Sequence, residues 1–295
     1  MTNASFNTVL ALSIDVEGFA ESHAQSVPVA PEYLRPVRCD AEISGNLPIV
    51  LELLARHDCR ATFFFLGRIA RTAPDLVRQV VDAGHEIGCH SLYHRRITGQ
   101  SPSEFREAVR AAKGHLEETG GQPVIGFRAP DFSIVRDNRW ALDELLAAGF
   151  AYDSSVVPTN VHDVYGMADV PRGVFRWPNG LLEFPLPVVS ILRLALPIGG
   201  GGYFRLYPLT WTQWFFRRQA LLGIPTVFYI HPYEVGPVAP RLPKLGITRH
   251  FRHYVRLGQG CKRLGRLLDR VQFTTMADVL AGIGMLPDGH ATRKQ

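Results

Sequence analysis

Short apolar segments alternate with amphipathic segments along almost the whole chain, and this alternation limits the fold more than any other feature. Apolar segments bounded by turn residues predict strands at residues 9–14, 61–65, 86–89, 124–127, 150–154, 181–185, 226–230 and 272–275. The segments between them predict helices at residues 46–57, 75–83, 102–118, 139–148, 208–222 and 252–268. Repeated β–α units of this kind predict a parallel sheet or barrel.

The chain is long enough for one large domain. It has 295 residues, of which 46% are hydrophobic, and no long linker rich in proline or glycine divides it. We therefore expect a single α/β domain over residues 1–280 with loop insertions at residues 21–44, 157–176 and 188–207, followed by a flexible tail at residues 281–295. The third insertion contains four consecutive glycines from Gly199 to Gly202. They indicate either a backbone that approaches a ligand closely or a mobile loop.

The cysteines and the N-terminal sequence suggest a reducing compartment. Four cysteines are scattered without a CxxC pair, which argues against a disulfide framework and favours free thiols. The first residues lack the basic and apolar regions of a signal peptide, so the expected location is the cytoplasm. Since no apolar run approaches the roughly 20 residues that span a bilayer, any membrane contact would be peripheral.

Basic residues concentrate towards the C-terminus of this chain of formal net charge +5. Within the predicted helix at residues 252–268 and just after it, four arginines should share one face: Arg252, Arg256, Arg263 and Arg270. Such a face could attract a phosphate group, anionic lipid or nucleic acid, or it could be ordinary solvated surface.

Charged or metal-binding side chains follow several of the predicted strands. They are Asp15, Glu17, His90, His94, Arg128, Asp153 and His231. Because parallel strands bring their carboxyl ends to one edge, these residues should form one site. If residues 90–94 turn helically, His90 and His94 lie on one face and can bind the same ion. One carboxylate with two imidazoles is a normal open metal shell.

The motifs that contain these residues resemble, in order, those of the polysaccharide deacetylases of carbohydrate esterase family four. They are residues 13–17 (SIDVE), 61–67 (ATFFFLG), 84–94 (GHEIGCHSLYH), 127–130 (FRAP), 152–155 (YDSS) and 228–234 (FYIHPYE). The resemblance covers residues 8–280 and implies a distorted (β/α) barrel of about seven parallel strands. Residues 200–205, 240–243, 251–254 and 273–276 are similar to the branch associated with exosortase and exopolysaccharide gene clusters.

The resemblance also implies a role for each site residue. Glu17, His90 and His94 would hold one divalent ion, with zinc the first choice and iron, cobalt or nickel compatible with the same ligands. Asp15 would act as general base, oriented by Arg128.

The remaining roles concern the departing amine and the substrate. The backbone N–H of Asp131 would complete an oxyanion hole. His231 would protonate the leaving amine with help from Asp153. Substrate binding is assigned to Gly201, Tyr203 and Arg205. One departure from the family pattern concerns the acidic pair, because Val16 separates Asp15 from Glu17 and suggests that the loop bends there.

The implied reaction is removal of an N-acetyl or related acyl group from an amino sugar during bacterial envelope glycan or exopolysaccharide synthesis. A cytoplasmic enzyme would meet a nucleotide-linked or lipid-diphosphate-linked sugar, with contact at the inner face of the membrane through the basic tail. No nucleic acid partner is expected. Two alternatives are an allantoinase-like hydrolase of a non-sugar amide and an inactive glycan-binding module.

Overall fold

The computed structural model describes residues 9–161, 165–191, 194–242 and 247–287. Its strands are β1 Leu10–Val16, β2 Thr62–Phe65, β3 Glu86–Cys89, β4 Gly126–Phe127, β5 Tyr152–Asp153, β6 Phe175–Arg176, β7 Leu182–Glu183, β8 Val188–Ile191, β9 Leu194–Pro197 and β10 Thr226–Ile230. Eight of them form one sheet in the order β10-β1-β2-β3-β4-β5-β7-β6, in which only β6 runs antiparallel. The predicted α/β fold with about seven parallel strands is confirmed. Strands β8 and β9 form a separate antiparallel pair.

Helices cover the sheet and its edges. They are α1 Phe19–His23, α2 Pro36–Arg56, α3 Gly67–Thr72, α4 Pro74–Asp82, α5 Pro102–Gly120, α6 Trp140–Ala147, α7 Gly201–Leu206, α8 Leu209–Leu221, α9 Pro232–Val235, α10 Ile247–Tyr254, α11 Gly260–Leu268 and α12 Met276–Gly282. Short 3₁₀ turns lie at Pro31–Tyr33, Ile97–Gly99, Pro130–Phe132, Arg136–Asn138 and Leu257–Gln259. Among the described residues, no helix is long and apolar enough to cross a membrane.

Alternation along β1 separates the core from the site. Leu10, Leu12, Ile14 and Val16 belong to the larger hydrophobic cluster, which includes residues of helices α2 to α6. Ala11 belongs to a second cluster on the opposite side of the sheet. Because successive side chains of a strand point to opposite faces, Ser13 and Asp15 continue the row that Ala11 begins. The alternation therefore directs Asp15 away from the larger cluster.

Helix α2 begins within a segment that was predicted to be an insertion. It starts at Pro36 and ends at Arg56, whereas the predicted helix began only at residue 46. Proline is well suited to a first helical turn because the N–H it lacks would have no helical partner there. The buried face of the first half includes Asp40 and Glu42 as well as Cys39 and Ile43. These buried acids interrupt the apolar periodicity on which the prediction depended.

The single C-terminal helix predicted at residues 252–268 is wrong. Helix α10 ends at Tyr254, Arg256 adopts a left-handed φ of 52°, and α11 begins at Gly260. A Cβ atom at Gly260 would lie 1.4 Å from the carbonyl oxygen of Glu234, so the backbone approaches α9 too closely for a side chain. The chain therefore breaks where it packs against α9.

The predicted strand at residues 272–275 is reduced to one β-bridge between Thr274 and Ala11. Thr274 donates its N–H to Leu10 and accepts from the N–H of Leu12, both at 3.0 Å. From Ser13 onward, β2 is the neighbour of β1 on that side. Pairing with the C-terminal segment therefore stops at the start of β1.

Candidate active site

Strand β1 places both predicted carboxylates at one cavity. It extends to Val16, so Asp15 lies within the strand and Glu17 follows it directly. Both side chains are 2% exposed and line the same cavity. The expectation that the chain must bend between them is wrong, because residues two apart in an extended chain project to the same side.

Glu17 lies beside two imidazoles in a cluster that could hold a metal ion. Its Oε2 atom is 2.7 Å from Nε2 of His94 and 3.4 Å from Nε2 of His90. One potential ligand atom from each of the three residues lies within 4.8 Å of the others. His90 Nδ1 lies 2.8 Å from the carbonyl oxygen of Arg128, and this contact orients the ring so that Nε2 faces Glu17. A nearly buried carboxylate with two imidazoles fits an open divalent metal site.

A non-helical loop, and not the predicted helical turn, brings the histidines together. Residues 90–96 contain no helix, and Ser91 has a positive φ of 70°. The loop is held by α3, whose first N–H groups from Gly67 and Arg68 donate to the carbonyls of Ser91 and Leu92. The exposed backbone amides at the start of a helix are suited to this role.

Opposite charges stabilise each other within the cluster. Burial raises the pKa of Glu17, but the three neighbouring histidines outweigh that effect and hold it well below its usual value. Burial lowers the pKa of His94, but Glu17 outweighs it and raises that pKa to about 9. A divalent cation would replace the imidazolium proton as the positive partner of Glu17, so we expect metal binding to release a proton.

Arg128 fixes the second carboxylate. Its Nη1 atom lies 2.8 Å from Oδ1 of Asp15 and 2.7 Å from Oγ of Ser13. The other guanidinium nitrogens bond the carbonyl and hydroxyl of Ser154, and the group stacks 4.4 Å from the ring centroid of Phe64. Arg128 is fully buried. The charge-assisted contact with Arg128 orients Asp15, which lines the cavity.

His231 faces Glu17 from the neighbouring strand. It follows β10, the strand paired with β1, and its Nε2 atom is 3.3 Å from Oε1 of Glu17. Its Nδ1 atom is 2.9 Å from Oε2 of Glu234. Burial lowers the pKa of His231, but Glu17 and Glu234 together outweigh burial and raise it to about 10. The imidazole is therefore a proton donor at neutral pH.

Arg205 contacts Glu234 and two backbone carbonyls. Its Nε atom is 2.7 Å from Oε1 of Glu234, and its Nη1 atom donates to the carbonyls of His253 and Val255 at 2.8 and 3.0 Å. Burial raises the pKa of Glu234, but Arg205 and His231 outweigh it and lower the pKa to about 2. Arg205 was predicted to bind substrate; although it borders the cavity, its guanidinium is engaged in holding Glu234 and α10.

The four-glycine segment packs against β10. A Cβ atom at Gly200, where φ is 137°, would lie 1.8 Å from the carbonyl oxygen of Tyr229. Tyr229 in turn donates its N–H to Gly199 at 2.7 Å. Gly201 is buried beneath the Tyr229 ring, whereas Tyr203 lines the cavity. The first glycines are therefore required by close approach to the sheet, and of the three predicted substrate-binding residues Tyr203 and Arg205 border the cavity.

Asp153 occupies a different position from the one predicted. The acids in contact with His231 are Glu17 and Glu234, whereas Asp153 is fully buried and accepts from Ser155 Oγ at 2.5 Å. Ser155 Oγ in turn accepts from the N–H of Ala129 at 2.8 Å. Burial raises the pKa of Asp153 to about 6. Asp153 thus supports the segment that carries Asp131.

Asp131 is held at the cavity wall in an uncommon backbone conformation. Its φ is 53°, and its carboxylate accepts from Nε of Arg96 at 2.6 Å. A left-handed conformation at a residue with a side chain persists where surrounding contacts impose it, and such residues cluster at functional sites.

One cavity of about 580 Å³ is bordered by eight of the charged or imidazole-bearing residues described above: Asp15, Glu17, His90, His94, Asp131, Arg205, His231 and Glu234. This volume lies within the range of about 300–1,000 Å³ typical of small-molecule sites. Aromatic and imidazole side chains form much of the wall: His23, Phe132, Tyr165, Tyr203, Tyr229, Tyr233, Phe251 and His253. Flat rings beside a few charged groups are suited to a ring-shaped polar ligand.

Two of the four arginines of the predicted basic face are engaged in backbone contacts, and the side chain of Arg252 lies outside what the structure describes. Arg256 donates to the carbonyls of Arg205 and Leu206, and Arg263 donates to those of Phe204 and Tyr207. Both guanidinium groups therefore hold α7. Lys244, which also belongs to the basic region near the C-terminus, lies outside the described residues.

Family models match most of the chain in two consecutive parts. The model described as "Polysaccharide deacetylase" matches residues 39–149, and "Domain of unknown function (DUF3473)" matches residues 154–281. The predicted resemblance is confirmed: residues 39–149 form a polysaccharide deacetylase domain, and the C-terminal match is consistent with the exopolysaccharide-cluster branch.

Curated relatives match only part of their own length. A peptidoglycan-N-acetylglucosamine deacetylase of Listeria monocytogenes is 36% identical over 29% of this chain and 18% of its own length. A chitooligosaccharide deacetylase of Azorhizobium caulinodans is 36% identical over 28% of this chain and 40% of its own. An uncharacterised Geobacillus stearothermophilus protein is 35% identical over 34% of this chain and 38% of its own.

Solved structures share the fold at low sequence identity. A putative polysaccharide deacetylase from Mycobacterium smegmatis is 17% identical, with a TM-score of 0.60 over 100% of this chain and 96% of that one. The Puue allantoinase is 16% identical, with a TM-score of 0.61 over 94% and 90%. These similarities show the fold only.

Proposed function

We propose that the protein is a metal-dependent hydrolase that removes an N-acetyl group from an amino sugar during synthesis of a bacterial envelope glycan or exopolysaccharide. The observation that carries the proposal is the meeting of Glu17, His90 and His94 with the Asp15–Arg128 pair at one cavity. Listeria and Azorhizobium relatives named as deacetylases of N-acetylglucosamine in peptidoglycan and of chitooligosaccharide support this substrate class.

One divalent ion would be held by Glu17, His90 and His94, and zinc is our first choice because imidazole and carboxylate are among its ordinary ligands. When bound, such an ion supplies Lewis acidity that polarises a carbonyl and lowers the pKa of water. Iron, cobalt and nickel suit the same donors.

Two groups would move protons. Asp15, oriented by Arg128, would accept a proton from the water molecule while that water attacks the carbonyl carbon of the acetyl group. The N–H of Asp131 would donate to the developing oxyanion. His231 would donate its proton to the amine nitrogen as the C–N bond breaks, leaving acetate and a free amino sugar.

Glu234 and Arg205 would keep His231 in its acid form. We expect Glu234→Gln to lower kcat by about 10²-fold, within the range for acid–base groups. Because losing this carboxylate lowers the pKa of His231, the alkaline limb of the pH profile should move by about one pH unit or more towards lower pH. The measurement is kcat/KM against pH, with the Glu104→Gln variant, in which the substituted carboxyl is exposed and distant in sequence, as control. An unshifted alkaline limb would contradict this role.

The sugar would belong to a larger phosphate-bearing molecule, linked to a nucleotide or a lipid diphosphate. Between Glu183 and Asp269 the sequence has twelve lysines and arginines but only one acid, Glu234. Part of this segment lines the cavity. A positive field of this kind favours an anionic substrate.

Two alternative functions can be tested beside the proposed one. Fold similarity to the allantoinase makes hydrolysis of a cyclic ureide a second candidate. The inactive glycan-binding module is disfavoured because Asp15, His231 and the cluster of Glu17, His90 and His94, to which the proposal gives catalytic and metal-binding roles, border one cavity.

The decisive experiment measures turnover of the metal-loaded protein on free, nucleotide-linked and lipid-linked N-acetyl sugars, with allantoin alongside. We expect release of acetate from one or more of the sugars and no turnover of allantoin. Turnover of allantoin alone would favour the ureide hydrolase. Sugar binding without acetate release, with the metal bound, would favour the binding module.

A further inference from the structure

An exposed surface on α8 combines tryptophan, leucine and arginine. The buried face of this helix consists of Thr212, Phe215 and Phe216. On the opposite side Trp211, Trp214 and Leu221 are 51%, 59% and 86% exposed. Arg217 and Arg218 are exposed between them, and Leu222 follows at 55% exposure. We call these six residues the α8 surface.

This surface adjoins the mouth of the cavity. Tyr207 packs its ring 6.1 Å from that of Trp211, and also 5.8 Å from that of Tyr203, which lines the cavity. Leu206 and Phe251 also line the cavity while remaining 48% and 57% exposed. Apolar exposed side chains are therefore present both on α8 and at the rim of the cavity.

The charge around the α8 surface is predominantly positive. Gln213 donates to the carbonyl of Arg266 at 2.7 Å, which places α11 beside α8. Lys262, Arg266 and Arg270, on and just after α11, are exposed, and Asp269 is the one exposed acid among them. The one acid between Glu183 and Asp269 is Glu234, which is buried against Arg205. Exposed carboxylates in that stretch are thus absent from the described residues.

We propose that the α8 surface docks on an anionic lipid bilayer, so that the cavity mouth receives a sugar attached to a membrane-bound carrier. Tryptophan is favoured at the boundary between lipid headgroups and acyl chains, and leucine can insert there. Arginines on the same face attract anionic headgroups. A protein partner would also bury tryptophan, but the excess of exposed cations over the single exposed acid Asp269 favours an anionic surface. The substrate part of this proposal rests on the proposed function; the docking part does not.

The test uses the full protein with vesicles of phosphatidylcholine alone or mixed with phosphatidylglycerol. We expect co-sedimentation with the anionic vesicles only, weakened by high salt. Brominated lipid should quench tryptophan fluorescence, because Trp211 and Trp214 are the exposed members of the four tryptophans whereas Trp177 is buried. Absence of both binding and quenching would overturn the proposal.

Matched variants separate docking from general charge. Arg217→Gln with Arg218→Gln should weaken anionic-vesicle binding by at least about tenfold, and Trp211→Gln with Trp214→Gln should abolish the quenching. Arg56→Gln with Arg78→Gln removes the same charge from exposed positions on α2 and α4 and should change neither. Equal weakening by both arginine pairs would overturn a specific surface.

Activity and association measurements complete the test. All variants should hydrolyse a small water-soluble N-acetyl substrate at the unaltered rate, since these residues lie outside the cavity. If sedimentation in solution instead showed a dimer that the tryptophan variant dissociates, without vesicle binding, the surface would be an interface between copies of the chain. Vesicle binding without any deacetylase activity would retain the docking and reject the proposed function.

Discussion

Replacing His90 or His94 with alanine should abolish both metal binding and hydrolysis. With three protein ligands, loss of one imidazole leaves only two, and we expect affinity to fall by more than about 10²-fold, the upper range for loss of an outer-shell partner. Each histidine also touches Glu17, whose nearly buried carboxylate would lose a partner. The measurement is metal content after dialysis, with acetate release assayed in parallel.

His57→Ala provides the matched control. His57 lies at the end of α2 and contacts exposed Asp269 at 3.3 Å, away from the cavity. The His57→Ala variant should therefore retain both metal binding and activity. Full metal occupancy in His90→Ala or His94→Ala would reject the assignment of the ligands.

Asp15→Asn and Glu17→Gln should fail in different ways. Asp15→Asn should retain the metal but lose about 10²–10⁴-fold in kcat, because asparagine cannot accept the proton from water. Glu17→Gln should weaken metal binding itself, because a neutral amide replaces the anionic ligand between the two histidines.

Metal titration by calorimetry and steady-state kinetics at saturating metal distinguish the two variants. If excess metal restores Glu17→Gln but not Asp15→Asn, the two carboxylates have the proposed roles. The reverse pattern would require the roles to be exchanged.

The strands could be predicted because parallel strands are buried on both faces and therefore form continuous apolar segments. The predicted strands at residues 86–89 and 226–230 have the same bounds as β3 and β10. The convergence of Glu17, His90 and His94 followed from strand ends meeting at one edge. The backbone conformation of the loop that carries His90 and His94 could not be predicted from the sequence. Ser91 has a left-handed φ that depends on contacts with α3, and those contacts are distant in sequence.

The contacts of Glu234 show which part of the candidate site could be predicted from the sequence and which could not. Its position three residues after His231 was visible in the motif at residues 228–234, and an acid at that spacing can reach back to the residue that precedes the helix. Its pairing with Arg205 was not visible, because 28 residues lie between them and the contact depends on how α7 packs against α9. Asp153 was therefore assigned the contact that Glu234 makes.

The pairing of β1 with β10 brings together site residues that are far apart in the sequence. Asp15 and Glu17 precede the part matched by the deacetylase model, His90 and His94 lie within it, and His231 lies in the part matched by DUF3473. A fragment limited to residues 39–149 would contain His90 and His94 but would lack Asp15, Glu17 and His231. We therefore expect a chimaera of two relatives to keep the proposed activity only if β1, β10 and the Arg205–Glu234 contact come from the same protein, because the residues of the candidate site extend beyond either sequence model.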